Sequence, residues 1–264
     1  MLVRITEDYA DISREAANIV ARAIRANPDL RLGLATGTTP VGLYKELIRL
    51  HREESLDFSR VVTFNLDEYI GIAAAHPASF HFYMRNNFFD HVNVREENIH
   101  IPEGLVRENF EQYCESYEDL IRAAGGIDLQ ILGIGKEGHI AFNEPSSSLA
   151  SRTRPKVLTR ETLDENRVNF SDDEEPPRAA ITMGIGTILE SRRILLLASG
   201  AAKARAIALA VEGPVTSSVS ASALQLHRDV TVLADRAASA NLAHRDYYED
   251  VLQITRKLTP NRLW

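Results

Sequence analysis

The stretch RLGLATGTTPVGLYKELIRL, residues 31 to 50, decides the fold, because a short apolar run passes through a Thr/Gly loop into an amphipathic segment. The apolar run is typical of a buried strand. Pro40 suits the first turn of a helix, and Thr39 is the expected cap. Such a loop presents backbone N–H groups at the positive end of a helix dipole, so it predicts a phosphate site or, alternatively, only a tight turn. The Walker spacing is missing, which argues against a nucleoside triphosphate.

The same alternation of apolar runs and amphipathic segments extends over the 264 residues. Predicted strands lie at 31 to 35, 61 to 65, 127 to 132, 193 to 198 and 230 to 234. Predicted helices lie at 8 to 26, 40 to 52, 79 to 89, 107 to 124, 201 to 211 and 239 to 256. This repeated βαβ order predicts an α/β fold with one open, mostly parallel sheet and helices on both faces. We expect a single domain over residues 1 to 264.

One charged segment departs from this alternation. Residues 160 to 178, RETLDENRVNFSDDEEPPR, become acidic toward their end and are closed by Pro176 and Pro177. Such a composition is poorly suited to a core element. Two interpretations stay open, a solvated excursion or a lid over the carboxyl ends of the strands.

Composition excludes several classes of protein. With 44% hydrophobic and 25% charged residues the chain is typical of a soluble globular protein, and no apolar run approaches the ~20 residues of a membrane helix. The net charge of −7, without a basic block, argues against nucleic acid as a partner. Acidic residues near the start replace the apolar region of a signal peptide, so we expect a cytoplasmic protein.

Cys114 is the single cysteine, so it can form neither an internal disulfide nor a zinc knuckle with another cysteine. It belongs to an apolar helical stripe that ends before two glycines. The other members of the stripe are Phe110, Tyr113, Tyr117, Leu120 and Ile121. We therefore interpret Cys114 as a packing residue and not as a reactive thiol.

Carboxylates follow the predicted strand in VVTFNLDEYIG, residues 61 to 71. Asp67 and Glu68 come just after its apolar run, and ligands of open α/β sheets bind at the carboxyl ends of the strands. A carboxylate there can take a proton from carbon if its surroundings tune its pKa. The alternative is a local cap or ion pair.

A histidine between carboxylates marks DLQILGIGKEGHIAFNEP, residues 128 to 145. Its G-x-G-x-x-G spacing is a weak dinucleotide signal, because Pro145 follows too soon for the helix that the motif needs. A metal site is also disfavoured, since no second histidine follows at ligand spacing. Acid–base chemistry remains, in which Glu137 and Glu144 orient His139 and stabilise its imidazolium form.

Five stretches together resemble the glucosamine-6-phosphate deaminase family, which shares a superfamily with 6-phosphogluconolactonase. They are FNLDEYIG, HPASFHFYMRNNFFDHV, LGIGKEGHIAFNEPSSSLASRTR, AAKARAIALAVEG and SALQLH. The resemblance covers nearly the whole chain in register. It implies a modified Rossmann-like fold and conversion of an amino sugar phosphate, glucosamine 6-phosphate, to fructose 6-phosphate and ammonia, without a redox cofactor or a metal.

The resemblance also implies roles for individual residues. The general base at the second carbon corresponds to Asp67. The ring-opening histidine corresponds to His139, supported by Glu144, while Glu137 stands where the family usually has aspartate. The residues implied for phosphate binding are Thr36, Gly37, Thr38, Thr39 and Lys203.

Two further positions depart from the family pattern at the phosphate end. Thr38 occupies a place where a smaller residue is expected, so it can narrow the pocket. The family's phosphate-binding arginine aligns with Val168, beside Arg167, and we assign no residue to that role.

Regulation is the last implication of the resemblance. Some members are hexamers that N-acetylglucosamine 6-phosphate activates at a subunit interface, and their contacts match Ser147, Arg154, Lys156 and, less securely, Tyr247. We therefore expect a homo-oligomer, with a hexamer as one form, and a candidate activator site. The alternative is a surface Arg/Lys strand with salt bridges.

Three rival functions stay open. The same chemistry on galactosamine 6-phosphate differs in one hydroxyl orientation. A 6-phosphogluconolactonase-like hydrolase has no need for a carbanion-forming base, so Asp67 argues against it. A non-catalytic sugar-phosphate sensor is suggested only by Glu137.

Overall fold

The computed structural model describes residues 1–259. Its strands are β1 Leu2–Thr6, β2 Arg31–Leu34, β3 Val62–Asn65, β4 Asp67–Tyr69, β5 Ile99–His100, β6 Leu129–Leu132, β7 Arg154–Val157, β8 Ala179–Thr182, β9 Ile194–Ala198 and β10 Val230–Asp235. Its α-helices are α1 Tyr9–Ala26, α2 Val41–Glu54, α3 Phe80–Asn87, α4 Phe110–Ala123, α5 Arg160–Asn166, α6 Ile185–Leu189, α7 Ala204–Val211 and α8 Arg245–Leu258. All five predicted strands are present.

Seven strands form the main sheet in the order β1-β10-β9-β6-β2-β3-β5, and every neighbouring pair is parallel. The predicted mostly parallel α/β sheet is therefore confirmed. Parallel pairing brings the carboxyl ends of these strands to one edge of the sheet. The order in which strands are added to the sheet changes direction at β2, because β3 pairs with one side of β2 and β6 with the other. Such a switch point leaves a crevice in which ligands bind.

The main sheet is buried on both faces because alternate side chains of each strand point to opposite sides. Leu195 and Leu197 of β9 pack in a cluster with α1 and α2. Leu196 and Ala198 pack on the other face in a cluster with α4 and α7. This two-sided burial explains why the strands read as continuous apolar runs and not as alternating patterns.

A second sheet, which the sequence did not predict, has three antiparallel strands in the order β4-β8-β7. It carries Asp67 at the first position of β4, opposite Thr182 of β8. The sequence of strand β7 is RPKV. It contains no apolar run, so the sequence pattern does not predict a strand there. An aromatic cluster that includes Tyr69, Phe142 and Phe170 packs against this sheet.

Three local predictions are wrong. Thr39 does not cap α2, because Pro40 holds the N-cap position and makes no side-chain cap; the phenol of Tyr9 instead accepts a hydrogen bond from the Gly42 N–H at 2.8 Å. Leu120 is 47% exposed and does not belong to the buried face of α4. Glu118 is buried on that face instead, and its carboxylate accepts hydrogen bonds from Thr153 and Thr187. The last helix begins at residue 245 and not at 239.

The charged segment 160 to 178 combines features of both interpretations. Its first part forms α5 and a 3₁₀ turn over Arg167–Asn169. Phe170 is buried against Tyr69 with ring centroids 5.7 Å apart, so the segment does contribute to a core cluster. The following residues Asp172 and Asp173 are exposed.

No helix within the described residues is both long enough and apolar enough to cross a membrane.

Candidate active site

A cavity of about 440 Å³ opens at the carboxyl edge of the main sheet. Its wall is formed by the loops after β2, β3, β6 and β9 and by α5. Seven of the predicted site residues line it, namely Thr36, Gly37, Thr38, Thr39, Asp67, His139 and Lys203. The volume suits a small-molecule ligand.

The loop over residues 36–39 offers hydrogen-bond donors to the cavity. No described residue accepts a hydrogen bond from the backbone N–H groups of these four residues. The loop carbonyls are occupied instead, since Tyr83 donates to the Gly37 carbonyl at 2.6 Å and Tyr9 to the Thr39 carbonyl at 3.0 Å. Gly37 has φ of +95°, a conformation that favours glycine. The two phenols thus fix a loop whose donors remain free for an anion.

Lys203 brings a cation to the same cavity. It lies in a short 3₁₀ turn before α7, after a bend at Gly200 with φ of +88°. Asp235, at the end of β10, holds that bend by accepting hydrogen bonds from the Gly200 N–H at 3.0 Å and from the Ser199 hydroxyl. Burial lowers the pKa of Lys203, and Lys136 lowers it further, whereas Glu165 opposes the shift.

Asp67 is buried at the cavity wall, and no described group donates a hydrogen bond to its carboxylate. Burial, together with the charge of Glu68, raises the pKa of Asp67 to about 8. Glu68 points elsewhere, because its carboxylate accepts hydrogen bonds from the N–H groups of Phe80 and His81 at 3.0 Å. The local-cap interpretation is therefore right for Glu68, while Asp67 is left as a carboxyl group with a raised pKa facing the cavity.

His139 lies in the glycine-rich turn after β6. A Cβ at Gly135 would come within 2.3 Å of the imidazole, so glycine is required for the ring to lie against the turn. The Nδ1 atom lies 3.8 Å from a carboxylate oxygen of Glu144, which is buried behind the ring. Burial lowers the pKa of His139, Glu144 opposes that shift and Lys203 adds to it.

Glu144 is in turn positioned by the start of the charged segment. Its second carboxylate oxygen accepts hydrogen bonds from the backbone N–H of Thr159 at 3.1 Å and from the Thr159 hydroxyl at 3.3 Å. The same hydroxyl caps α5 by accepting from the Thr162 N–H. The carboxylate that faces His139 is thereby linked to a helix that lines the cavity.

Glu137 does not share this arrangement. It is exposed, and within the described chain no hydrogen bond joins it to His139. Its charge raises the pKa of His139 only as the last of several contributions. Of these two carboxylates, Glu144 is therefore the one that lies near the imidazole.

The charged segment contributes Thr162, Glu165, Asn166, Val168 and Asn169 to the cavity wall. Val168 is 85% exposed at its mouth. The guanidinium of the neighbouring Arg167 donates to backbone carbonyls of its own segment, at Ser171, Asp172 and Glu174.

The residues expected at an activator site fall into two groups. Arg154 and Lys156 are two positions apart on β7, and Arg154 donates to the Asn143 side chain at 3.0 Å. Ser147 follows that asparagine closely in the sequence and is buried. Its hydroxyl has no hydrogen-bond partner among the described residues. Tyr247 is exposed on α8, which packs against β1 at the edge of the main sheet.

Comparison with known proteins agrees with the fold. A family model described as glucosamine-6-phosphate isomerases/6-phosphogluconolactonase matches residues 6–233. The glucosamine-6-phosphate deaminase of Thermoanaerobacter sp. (strain X514) is 49% identical over 249 residues, which are 94% of this chain and 98% of that protein. That of Hahella chejuensis (strain KCTC 2396) is 51% identical over 248 residues, 94% of each chain.

Solved structures give the same result. One described as a monomeric glucosamine-6-phosphate deaminase has a TM-score of 0.89 at 46% identity and covers 91% of this chain and 100% of its own. The 6-phosphogluconolactonase of Trypanosoma brucei has a TM-score of 0.71 at 20% identity, covering 92% and 98%, and shows the shared fold alone. The chain belongs to the glucosamine-6-phosphate isomerase/6-phosphogluconolactonase family. Within that family, its relatives at about half identity carry the deaminase name.

Proposed function

We propose that this protein deaminates glucosamine 6-phosphate to fructose 6-phosphate and ammonia. The observation that carries the proposal is the single cavity in which an anion-binding loop, a lysine, a buried carboxyl group and a histidine meet. The deaminase relatives at about half identity support the same substrate. The reaction consumes water and breaks a carbon–nitrogen bond. It uses no redox cofactor, because its steps are ring opening, proton transfers, addition of water and departure of ammonia.

The phosphate is held in this proposal by the free N–H groups of residues 36–39 and by Lys203. Anchoring the substrate at its sixth carbon leaves the reducing end free to reach Asp67 and His139. Binding energy from a group remote from the reacting carbons then orients the substrate.

His139 opens the pyranose ring. Its lowered pKa keeps the imidazole neutral at pH 7, so it can accept the proton of the anomeric hydroxyl and return it to the ring oxygen as the bond to the first carbon breaks. Glu144 stabilises the transient imidazolium from 3.8 Å. Glu137 makes no hydrogen bond with His139 among the described residues, but its negative charge also raises the pKa of the imidazole.

Asp67 then works on the open chain. Its carboxylate takes the proton from the second carbon while the substrate's ammonium group gives a proton to the oxygen of the first carbon, which produces an enolamine. Asp67 then gives its proton to the first carbon, which leaves a protonated ketimine. Water adds to the imine carbon, ammonia departs, and the ketose phosphate remains. This step requires Asp67 in its deprotonated form, although burial favours the protonated one.

The direct test is ammonia release from the purified protein with glucosamine 6-phosphate and, separately, with galactosamine 6-phosphate. Release from the first at the higher kcat/KM supports the proposal. A preference for the second assigns the rival epimer, and release from neither contradicts deamination. Hydrolysis of 6-phosphogluconolactone in the same preparation would favour the lactonase.

The pH dependence follows from Asp67. Since a base must be deprotonated to act and the pKa of Asp67 is raised to about 8, we expect kcat/KM to rise with pH through that value. The carbon-13 shift of the Asp67 carboxyl group should titrate at the same midpoint in the substrate-free protein, which separates it from the substrate's amine. A profile without a rise between neutral and mildly alkaline pH would contradict this assignment.

Regulation and assembly are further proposals. Arg154, Lys156 and the unpartnered hydroxyl of Ser147 support an anion site for N-acetylglucosamine 6-phosphate, with Tyr247 as its less secure member. A hyperbolic saturation curve that this sugar phosphate leaves unchanged would remove the proposal. A homo-oligomer, including a hexamer, remains a prediction, and the related solved structure is described as monomeric. A cytoplasmic location also remains a prediction.

A further inference from the structure

The charged segment, residues 160 to 178, brings a negative charge to the end of the cavity where the phosphate is expected. Glu165, on the last turn of α5, lines the cavity together with Lys203 and residues 36–39. A phosphate pocket that contains a carboxylate is unusual in physical terms, because the carboxylate repels the phosphate dianion. Its presence therefore calls for a role.

Glu165 is engaged with the cations around this end of the cavity. A carboxylate oxygen lies 3.0 Å from Nζ of Lys136, a residue of the glycine-rich turn that also carries His139. Its charge interacts as well with Lys203, whose pKa it raises, and with His139. Lys136 in turn lowers the pKa of Lys203, so the three charges lie close enough to influence one another.

Among the described residues, no lysine or arginine of the charged segment lines the cavity wall. Arg167 is held by carbonyls of its own segment, and its neighbour at the cavity mouth is Val168. The net contribution of this segment to the phosphate end is thus one carboxylate.

We propose that Glu165 sets the affinity of the pocket for phosphate and controls its opening. In the ligand-free enzyme Glu165 holds Lys136 beside Lys203, so that a phosphate must displace the Glu165 carboxylate in order to bind. The proposal rests on the deaminase function proposed above. Displacing Glu165 breaks the ion pair with Lys136, which frees that ammonium group for the phosphate and releases α5 from the turn beneath it. Weakened phosphate binding in turn lets the phosphorylated product leave.

The test compares Glu165→Gln with Asp164→Asn, which removes the same charge from the preceding residue of α5 but lies outside the cavity wall. The readout is the Kd of inorganic phosphate by calorimetry, alongside KM and kcat for glucosamine 6-phosphate. We expect Glu165→Gln to tighten phosphate about fivefold, as befits one partly screened charge, with a parallel fall in KM. The difference should shrink at high ionic strength, and Asp164→Asn should leave Kd unchanged.

Three results would overturn the proposal. Equal phosphate Kd values in the two variants would make Glu165 a solvated surface group. Weaker phosphate binding in Glu165→Gln would mean that the carboxylate holds the pocket in shape. A raised KM with unchanged phosphate Kd would mean that it binds the substrate's ammonium group. Phosphate binding needs no turnover, so tighter phosphate without ammonia release would contradict the deaminase proposal and leave this one standing.

Discussion

Asp67→Asn is expected to lower kcat for ammonia release by about 1,000-fold or more while making the protein more stable at neutral pH. The loss in rate follows from removing the general base, since an amide cannot accept the proton of the second carbon. The gain in stability follows from the raised pKa. The folded protein keeps the proton of Asp67 up to about pH 8, whereas the unfolded chain releases it near its ordinary value of 3.8.

The sign of the stability effect is set by that difference. At any pH between the two pKa values, folding takes up a proton at Asp67. The stability that goes with a protonated Asp67 is therefore fully present below the pKa of the unfolded chain and is lost as the pH rises through the pKa of the folded protein. Asparagine is neutral at every pH and avoids this loss. At pH 7, roughly three pH units above the unfolded value, we expect the free energy of unfolding to rise by about 4 kcal/mol, and by much less at acidic pH.

Denaturant unfolding at two pH values and steady-state kinetics would measure both effects. Asp173→Asn, an exposed change of the same kind, should alter neither quantity. Retained ammonia release in Asp67→Asn would show that the proton transfer is wrongly assigned. Lower stability would show that the buried carboxyl group is held by partners and is not strained by burial.

His139→Asn is expected to lower kcat by about 100- to 10,000-fold with little change in the affinity for phosphate. The imidazole is needed for ring opening, whereas the phosphate is bound by residues 36–39 and Lys203 at the other end of the cavity. Binding of 2-amino-2-deoxyglucitol 6-phosphate, which has no ring to open, should therefore survive the substitution. His91→Asn, an exposed histidine outside the cavity, is the matched control.

Gly135→Ala provides a second route to the same defect. The added Cβ would come within 2.3 Å of the imidazole and displace it without changing its chemistry. We expect kcat to fall in this variant as well. If His139→Asn raised KM and left kcat intact, the histidine would be a binding residue and not the group that opens the ring.

The main sheet could be predicted from the sequence because its strands are buried on both faces. Burial on both faces turns each strand into an apolar run such as RILLLA, which needs no knowledge of its neighbours. The sheet of β4, β7 and β8 could not be predicted, since RPKV has no such run and is defined by pairing with a distant strand. The short strand Asp67–Tyr69 was visible only as polar residues after β3.

The site divides along the same line. Asp67, His139 and residues 36–39 follow strands in the sequence, so a general rule about strand ends predicts them together. The groups that position them come from remote parts of the chain. Tyr9 and Tyr83 hold the loop, Thr159 holds Glu144, and Asp235 holds the bend before Lys203, and only the folded structure brings these partners together. Glu165 was visible only as part of an acidic segment whose role stayed open.

The most direct test of the central claim is a crystal structure of the protein with 2-amino-2-deoxyglucitol 6-phosphate. We expect phosphate oxygens within about 3.2 Å of the N–H groups of residues 36–39 and of Lys203 Nζ. We expect the second carbon within about 3.5 Å of the Asp67 carboxylate, with His139 beside the hydroxyl of the fifth carbon. A ligand bound with its phosphate toward Asp67, or outside this cavity altogether, would contradict the proposed mechanism.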